Sequence, residues 1–198
     1  FDFGDLDGDG DLDLVSIDVD SQARVWRLVG ERYVAARRFS DARRVELVDA
    51  DGDGHLDLST LGNHLRLRHG DGTGTFGRAV YLPDPHGHHR ELRWHDVDRD
   101  GDADALLLAW RSPALLLRQV GRDSFDVEAL ERSASDATWA DLDLDGRPEL
   151  LLASPTVDDG ATARCESDGR ACEPLLGSPP FGRFVDLNDD TSLDLIST

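Results

Sequence analysis

Apolar residues along this chain either alternate with polar ones or form short contiguous runs, and no stretch of useful length keeps the three-to-four-residue spacing of an amphipathic helix. Alternation in Val45-Glu46-Leu47 and runs such as DLVSI, DLST and ELLLA are patterns of short β-strands, one face or both faces buried. Strands are predicted at Leu14 to Ile17, Arg24 to Val29, Tyr33 to Phe39 and Arg44 to Val48. Turn chemistry separates them, as in HGDGTGTF at His69 to Phe76 and VGRDSF at Val120 to Phe125.

The strand pattern restarts five times, each time around a nine-residue acidic loop. The copies are DLDGDGDLD from Asp5 to Asp13, DADGDGHLD from Asp49 to Asp57, DVDRDGDAD from Asp96 to Asp104, DLDLDGRPE from Asp141 to Glu149 and DLNDDTSLD from Asp186 to Asp194. Their first residues lie 44, 47, 45 and 45 positions apart, a period of one supersecondary unit. Each loop joins the first two of four strands. Four antiparallel strands in about 45 residues match a β-propeller blade. The expected fold is therefore all-β, a propeller of four-stranded blades with repeats near 1–43, 44–90, 91–135, 136–180 and a half blade at 181–198. Two residues before each loop stands a large apolar side chain (Phe3, Leu47, Trp94, Trp139, Phe184), and these are predicted core seams. A ring does not close on four and a half blades, so the sequence is expected to be part of a longer chain.

The loops hold 22 of the 41 acidic residues, a density that ordinary acidic turns do not explain when it recurs in register. Carboxylates at loop positions 1, 3, 5 and 9, with a backbone carbonyl at 7, suit a hard cation that takes six to eight oxygens, which is calcium. The expected ligands are Asp5, Asp7, Asp9, Asp11 and Asp13; Asp49, Asp51, Asp53, His55 and Asp57; Asp96, Asp98, Asp100, Asp102 and Asp104; Asp141, Asp143, Asp145, Arg147 and Glu149; and Asp186, Asn188, Asp190, Ser192 and Asp194. Within them Asp11, His55, Asp102, Arg147 and Ser192 contribute the backbone carbonyl. Gly10, Gly54, Gly101 and Gly146 at position 6 can take the positive φ that wraps a loop around an ion. Copy five has Thr191 there and Asn188 at position 3, so four calcium sites are expected with a weak fifth at 186–194. An EF-hand is excluded, because position 12 is Ser16, Thr60, Leu107, Leu152 or Ser197 and never a chelating Glu.

The D-x-D-x-D-G-x-x-D loop followed by Leu, together with Gly-Asp-Gly-Thr-Gly-Thr-Phe at Gly70 to Phe76, resembles the FG-GAP and VCBS repeats of integrin α-like β-propellers across the whole chain. Phe3-Gly4 echoes the first half of that name. No Gly-Ala-Pro occurs, so the variety common in secreted bacterial proteins looks closer. The resemblance implies calcium in the loop between the first two strands of each blade, and a role in adhesion, carbohydrate binding or scaffolding.

A formal charge of −20 argues against nucleic acid or an anionic membrane as a general partner, and the longest apolar run, Ala105 to Trp110, is far too short to span a bilayer. All 21 basic residues are arginine, which reads as codon bias without structural weight. Cys165 and Cys172 bracket an Asp-Gly turn in repeat four; a disulfide across that hairpin is expected, with two free thiols as the alternative. The disulfide and loops of extracellular calcium affinity both point to a secreted or cell-surface protein, the periplasm included. Meander topology puts the acidic loops on one face of the blades and the variable loops and linkers on the other, where a protein or glycan ligand is expected. Trp110 and Arg111 are the candidate ligand-binding residues there, although Trp110 also reads as the end of a buried strand. His86, His88, His89 and His95 read as solvated residues in and beside a Pro/Gly-rich linker. No G-x-S-x-G, H-E-x-x-H or P-loop occurs and lysine is absent, so no catalytic residue is assigned. Two functions remain: a non-enzymatic binding or adhesion module, and the propeller or accessory domain of a secreted polysaccharide lyase or glycosidase.

Overall fold

The computed structural model describes residues 1–85, 87, 89–109, 112–153, 162–174, 183–185 and 194–196, the last two segments as backbone only. Among these residues every regular element is a β-strand. The first sheet holds β1 (Asp2–Gly4), β2 (Asp13–Ile17), β3 (Gln22–Val29) and β4 (Arg32–Ser40). The second holds β5 (Arg44–Val48), β6 (Asp57–Leu61), β7 (Leu65–Arg68) and β8 (Val80–Tyr81). The third comprises β9 (Glu91–His95), β10 (Asp104–Leu108), β11 (Leu115–Gly121) and β12 (Ser124–Ala129). The fourth comprises β13 (Asp136–Ala140), β14 (Glu149–Ala153), β15 (Thr162–Cys165) and β16 (Glu173–Pro174). A fifth pair, β17 (Arg183–Val185) and β18 (Asp194–Ile196), follows. Each sheet is an antiparallel meander in chain order, and the array of sheets is open.

One register recurs through all five sheets. The last residue of the first strand pairs with loop position 9, as Gly4↔Asp13, Val48↔Asp57, His95↔Asp104, Ala140↔Glu149 and Val185↔Asp194. A single acidic residue thus both ends the loop and starts the second strand. First strands of successive sheets pack against one another, β1 on β5, β5 on β9, β9 on β13 and β13 on β17, which is the arrangement of blades about an axis.

Three apolar layers lie between successive sheets. Val15, Ala23, Val25 and Phe39 of the first sheet meet Leu58 and Phe76 of the second; Leu61, Leu65 and Leu67 meet Ala105, Leu107 and Leu117 of the third; Leu106, Leu108 and Leu116 meet Leu150, Leu152 and Ala163 of the fourth. Strands buried on both faces explain why β6 and β10 lack strict alternation: every residue of each is buried. Leu47, Trp94 and Trp139 pack on these layers. Phe3 does not. It is 46% exposed and meets Phe1 edge to face, because it lies on the face of the first sheet turned away from the second. The side chain of Phe184 lies outside the described residues.

Charged side chains from the first strands form a chain across the sheets. Arg44 pairs with Glu91, and Arg93 Nη2 lies 2.8 Å from Asp136 Oδ1. Glu46 on β5 sits among them, and burial pushes its carboxyl up to about 7, with Asp2 and Glu91 adding to the shift and Arg93 opposing it. A carboxyl whose folded pKa is raised loses stability for the fold as pH climbs from its ordinary value to the raised one. The Glu46→Gln variant is therefore expected to match the parent near pH 4.5 and to exceed it by roughly 3 kcal/mol near pH 8, read by chemical denaturation across that range. Parallel pH profiles for the two proteins would contradict the assignment.

Candidate metal centres

The acidic loops connect β1 to β2, β5 to β6, β9 to β10 and β13 to β14, and they lie together on one face of the blades. Ala103 N donates to Ala50 O at 2.9 Å between loops two and three, and Arg99 Nη2 donates to Gly146 O at 2.5 Å between loops three and four. A common network of backbone N–H groups folds each of the four. The position-1 carboxylate accepts from the position-6 glycine: Gly10 N to Asp5 at 3.0 Å, Gly54 N to Asp49 at 2.9 Å, Gly101 N to Asp96 at 3.1 Å and Gly146 N to Asp141 at 2.8 Å. At position 5, Asp9, Asp53, Asp100 and Asp145 each accept the N–H two residues on. The position-6 glycines have φ of 89°, 86°, 100° and 83°.

Position 9 has a second task. Asp13 accepts from Leu6 N at 3.3 Å and Leu28 N at 2.8 Å, Asp57 from Ala50 N at 3.2 Å and Gly70 N at 2.8 Å, and Asp104 from Val97 N at 3.0 Å and Gln119 N at 2.8 Å. Each of these carboxylates ties its loop to the third strand or to a residue just past it, and all three are buried. Glu149 accepts from Leu142 N at 2.8 Å in the same way. Burial pushes the Asp104 carboxyl up to about 6 against the pull of its two N–H donors, and it raises Asp57 likewise.

The carboxylates do not converge as sets of four. Asp5, Asp7 and Asp9 come within 4.8 Å of one another in loop one and Asp49, Asp51 and Asp53 in loop two, whereas loop three gathers Asp96, Asp98 and Asp104 and loop four gathers Asp141, Asp143 and Glu149. Asp13, Asp100 and Asp145 lie outside these groups, and Asp57 joins a different one with Asp51 and His69. Within the loops Asp7 Oδ1, Asp49 Oδ1, Asp51 Oδ1 and Asp96 Oδ1 are buried without a hydrogen-bond partner. Buried carboxylate oxygens at positions 1 and 3 that lack donors are what an oxygen-seeking cation requires, so the residues present fit calcium. Loop five, residues 186–193, lies outside the described residues, as do Trp110 and Arg111, and Asp194 is described as backbone only.

Two features of the loops escaped sequence reading. Position 4 is left-handed in all four, with φ of 74° at Gly8, 67° at Gly52, 65° at Arg99 and 60° at Leu144. The Asp-Gly-Asp-Gly spelling of the first two copies was the available signal. A basic side chain also meets each position-3 carboxylate: Arg27 at Asp7, Arg122 Nε at 2.9 Å from Asp51, Arg118 Nη1 at 4.0 Å from Asp98 and Arg164 Nη2 at 2.8 Å from Asp143. Arg27, His69 and Arg118 share one register position, each following the partner of the second strand's second residue (Trp26, Arg68, Leu117). These cations relieve repulsion within the loop and oppose an incoming ion of like charge.

Two of the four linker histidines are not solvated. His89 is buried, with Nδ1 at 2.7 Å from Asp84 Oδ1, and His95 stacks on Trp139 with ring centroids 4.9 Å apart. Burial lowers the His95 pKa below its usual value. His86 and His88 lie outside the described residues. Cys165 and Cys172 are joined in a disulfide that bridges the β15–β16 turn. No helix among the described residues is long and apolar enough to cross a membrane.

An array of four-stranded meander blades, each with an acidic loop between its first two strands, defines a repeat protein of β-propeller type. The family model of the FG-GAP-like repeat matches residues 5–60 and 49–107, just over half of the chain, and the chain belongs to that family. Among solved structures it is similar to the crystal structure of BBS1N in complex with ARL6DN, soaked with lead, with a TM-score of 0.56 and 13% identity over 88% of this chain and 54% of that one. The chain therefore spans about half the length of that structure, and at this identity the likeness concerns the fold alone. No curated protein sequence matches the chain.

Leu144 carries a left-handed backbone that glycine adopts without strain, and its side chain is 64% exposed. Leu144→Gly is expected to stabilise the calcium-free protein by about 1 kcal/mol, a rise of roughly 3 °C in melting temperature. A fall in melting temperature would contradict the strain at position 4.

Proposed function

We propose that the chain is a calcium-binding β-propeller scaffold, secreted or displayed at the cell surface, that binds a partner and catalyses no reaction. The observation that carries this reading is one N–H network that recurs in four acidic loops, of which the first three also keep a position-1 or position-3 carboxylate oxygen buried without a donor. Asp5, Asp7, Asp9 and Asp13 with their counterparts in loops two to four would hold the ions, with the carbonyls of Asp11, His55, Asp102 and Arg147 completing the shells. A bound calcium supplies the positive charge that lets several carboxylates share one loop. The disulfide supports an oxidising compartment, where calcium is millimolar.

Partner recognition belongs to the face away from the acidic loops, where blade linkers and β6–β7-type connections gather. A cleft of about 250 Å³ there, between the second and third sheets, is lined by Arg43, Arg44, Arg90, Glu91 and the buried His89, with Arg44 paired to Glu91. Three arginines against one glutamate at this opening of a strongly acidic chain favour an acidic protein or glycan group.

With a dissociation constant near ~10⁻⁴ M, each loop adds about 1.4 kcal/mol at millimolar calcium, and four add roughly 6. Thermal melting in chelator and in millimolar calcium is expected to differ by about 10–20 °C, with no comparable effect of magnesium. An unchanged melting temperature would remove the calcium reading.

A further inference from the structure

Loop two differs from loops one and three in the side chain that its third-strand register brings to position 3. Where the first and third sheets present Arg27 and Arg118, the second presents an imidazole. His69 Nδ1 lies 3.1 Å from Asp57 Oδ2 and 3.3 Å from Asp51 Oδ2, and the three donor atoms fall within 4.8 Å of one another. Only 7%, 0% and 14% of the Asp51, Asp57 and His69 side chains reach solvent. On the other side of the ring, Nε2 lies 3.0 Å from Asp123 Oδ1, in the turn between β11 and β12 of the neighbouring sheet. Asp51 also keeps its second oxygen, Oδ1, buried without a hydrogen-bond partner.

We propose that Asp51, Asp57 and His69 form a binding site for one divalent transition ion of the zinc class, with Asp123 orienting the imidazole from the adjacent blade. One nitrogen and two carboxylate oxygens make a borderline donor set, which suits Zn²⁺ or Co²⁺ better than calcium. Tetrahedral coordination at about 2.0–2.1 Å sets neighbouring donors about 3.3 Å apart, close to the two separations from Nδ1. A carboxylate on the far ring nitrogen is the usual outer-shell support of a metal-bound histidine, since it fixes the tautomer that leaves Nδ1 free to ligate. Binding releases any proton on Nδ1 to solvent, and a water fills the fourth position. Arg122, whose Nε lies 2.9 Å from Asp51 Oδ2, is 62% exposed and can swing into solvent. Asp57 Oδ1 stays engaged with Gly70 N, so the loop keeps its tie to the third strand. Arg27 and Arg118 cannot ligate a metal as arginines, so the first and third loops do not reproduce this donor set.

The site shares Asp51 and Asp57 with the calcium reading of loop two, and the experiment separates the two. Metal-free full chain is titrated with zinc by calorimetry in calcium-free buffer, beside the variants His69→Gln, Asp123→Asn and the double variant H86Q/H88Q. The parent and H86Q/H88Q are expected to bind one equivalent with equal affinity. H69Q should lose at least a hundredfold, and D123N roughly tenfold. Zinc binding by H69Q at the parent affinity, or its loss in H86Q/H88Q, would overturn the proposal. Calcium titrations of the same proteins report on the other loops: calcium bound without zinc sinks this proposal alone, and zinc bound without calcium sinks the calcium reading alone. Should H69Q fail to fold, the ¹⁵N shift of His69 Nδ1 in the parent decides. A change on one equivalent of zinc supports the site, and an unmoved resonance contradicts it.

Discussion

A buried carboxylate at the head of each second strand is the constraint on which the repeat depends. Asp13, Asp57 and Asp104 each take two backbone N–H groups, one from loop position 2 and one from the third strand or just past it, so a single side chain shapes the loop and locks the hairpin to its neighbour. Charge-assisted hydrogen bonds of this kind are each worth about 1.5–3 kcal/mol, but they come with the desolvation of an anion. For Asp57 and Asp104 desolvation wins, since both titrate above their ordinary range. A nearby cation would reverse that balance, whereas the chain's own Arg27, Arg118, Arg122 and Arg164 stand against the position-3 carboxylates.

The same register that fixes the loop also fixes how blades stack. Because loop position 9 always faces the end of the first strand, the next residue always lands on one face: Leu14, Leu58, Ala105 and Leu150 beside Phe3, Leu47, Trp94 and Trp139. In the second, third and fourth sheets that face is filled by the preceding sheet. In the first sheet it carries Phe3 exposed against Phe1. Local loop chemistry and the packing of whole sheets are thus two consequences of one pairing.

Much of this was legible in the residues because the repeat multiplies every signal. Arg44 to Val48 is a strand with the bounds its alternation predicts, and the position-6 glycines adopt the positive φ their place in the loop implies. What the sequence hid depends on contacts between distant segments. Arginines some twenty residues downstream of a loop reveal their role only when the third strand is laid beside the second. His89 looked solvated in a Pro/Gly-rich linker and is buried on Asp84, since a linker that crosses between blades has an inner side. Phe3 followed the pattern of Leu47 and Trp94, yet burial needs a neighbour as well as a pattern. Left-handed backbone at Arg99 and Leu144 was masked because these residues do not advertise it as Gly8 and Gly52 do.

The central claim is that the acidic loops are cation cages, with the chain's own arginines partly neutralising them. Equilibrium dialysis of the full chain against millimolar calcium counts the ions directly. About four per chain is the predicted result, one for each loop with the shared geometry. Fewer than one per chain would mean that backbone N–H groups and arginines satisfy the carboxylates by themselves, and the account would fail.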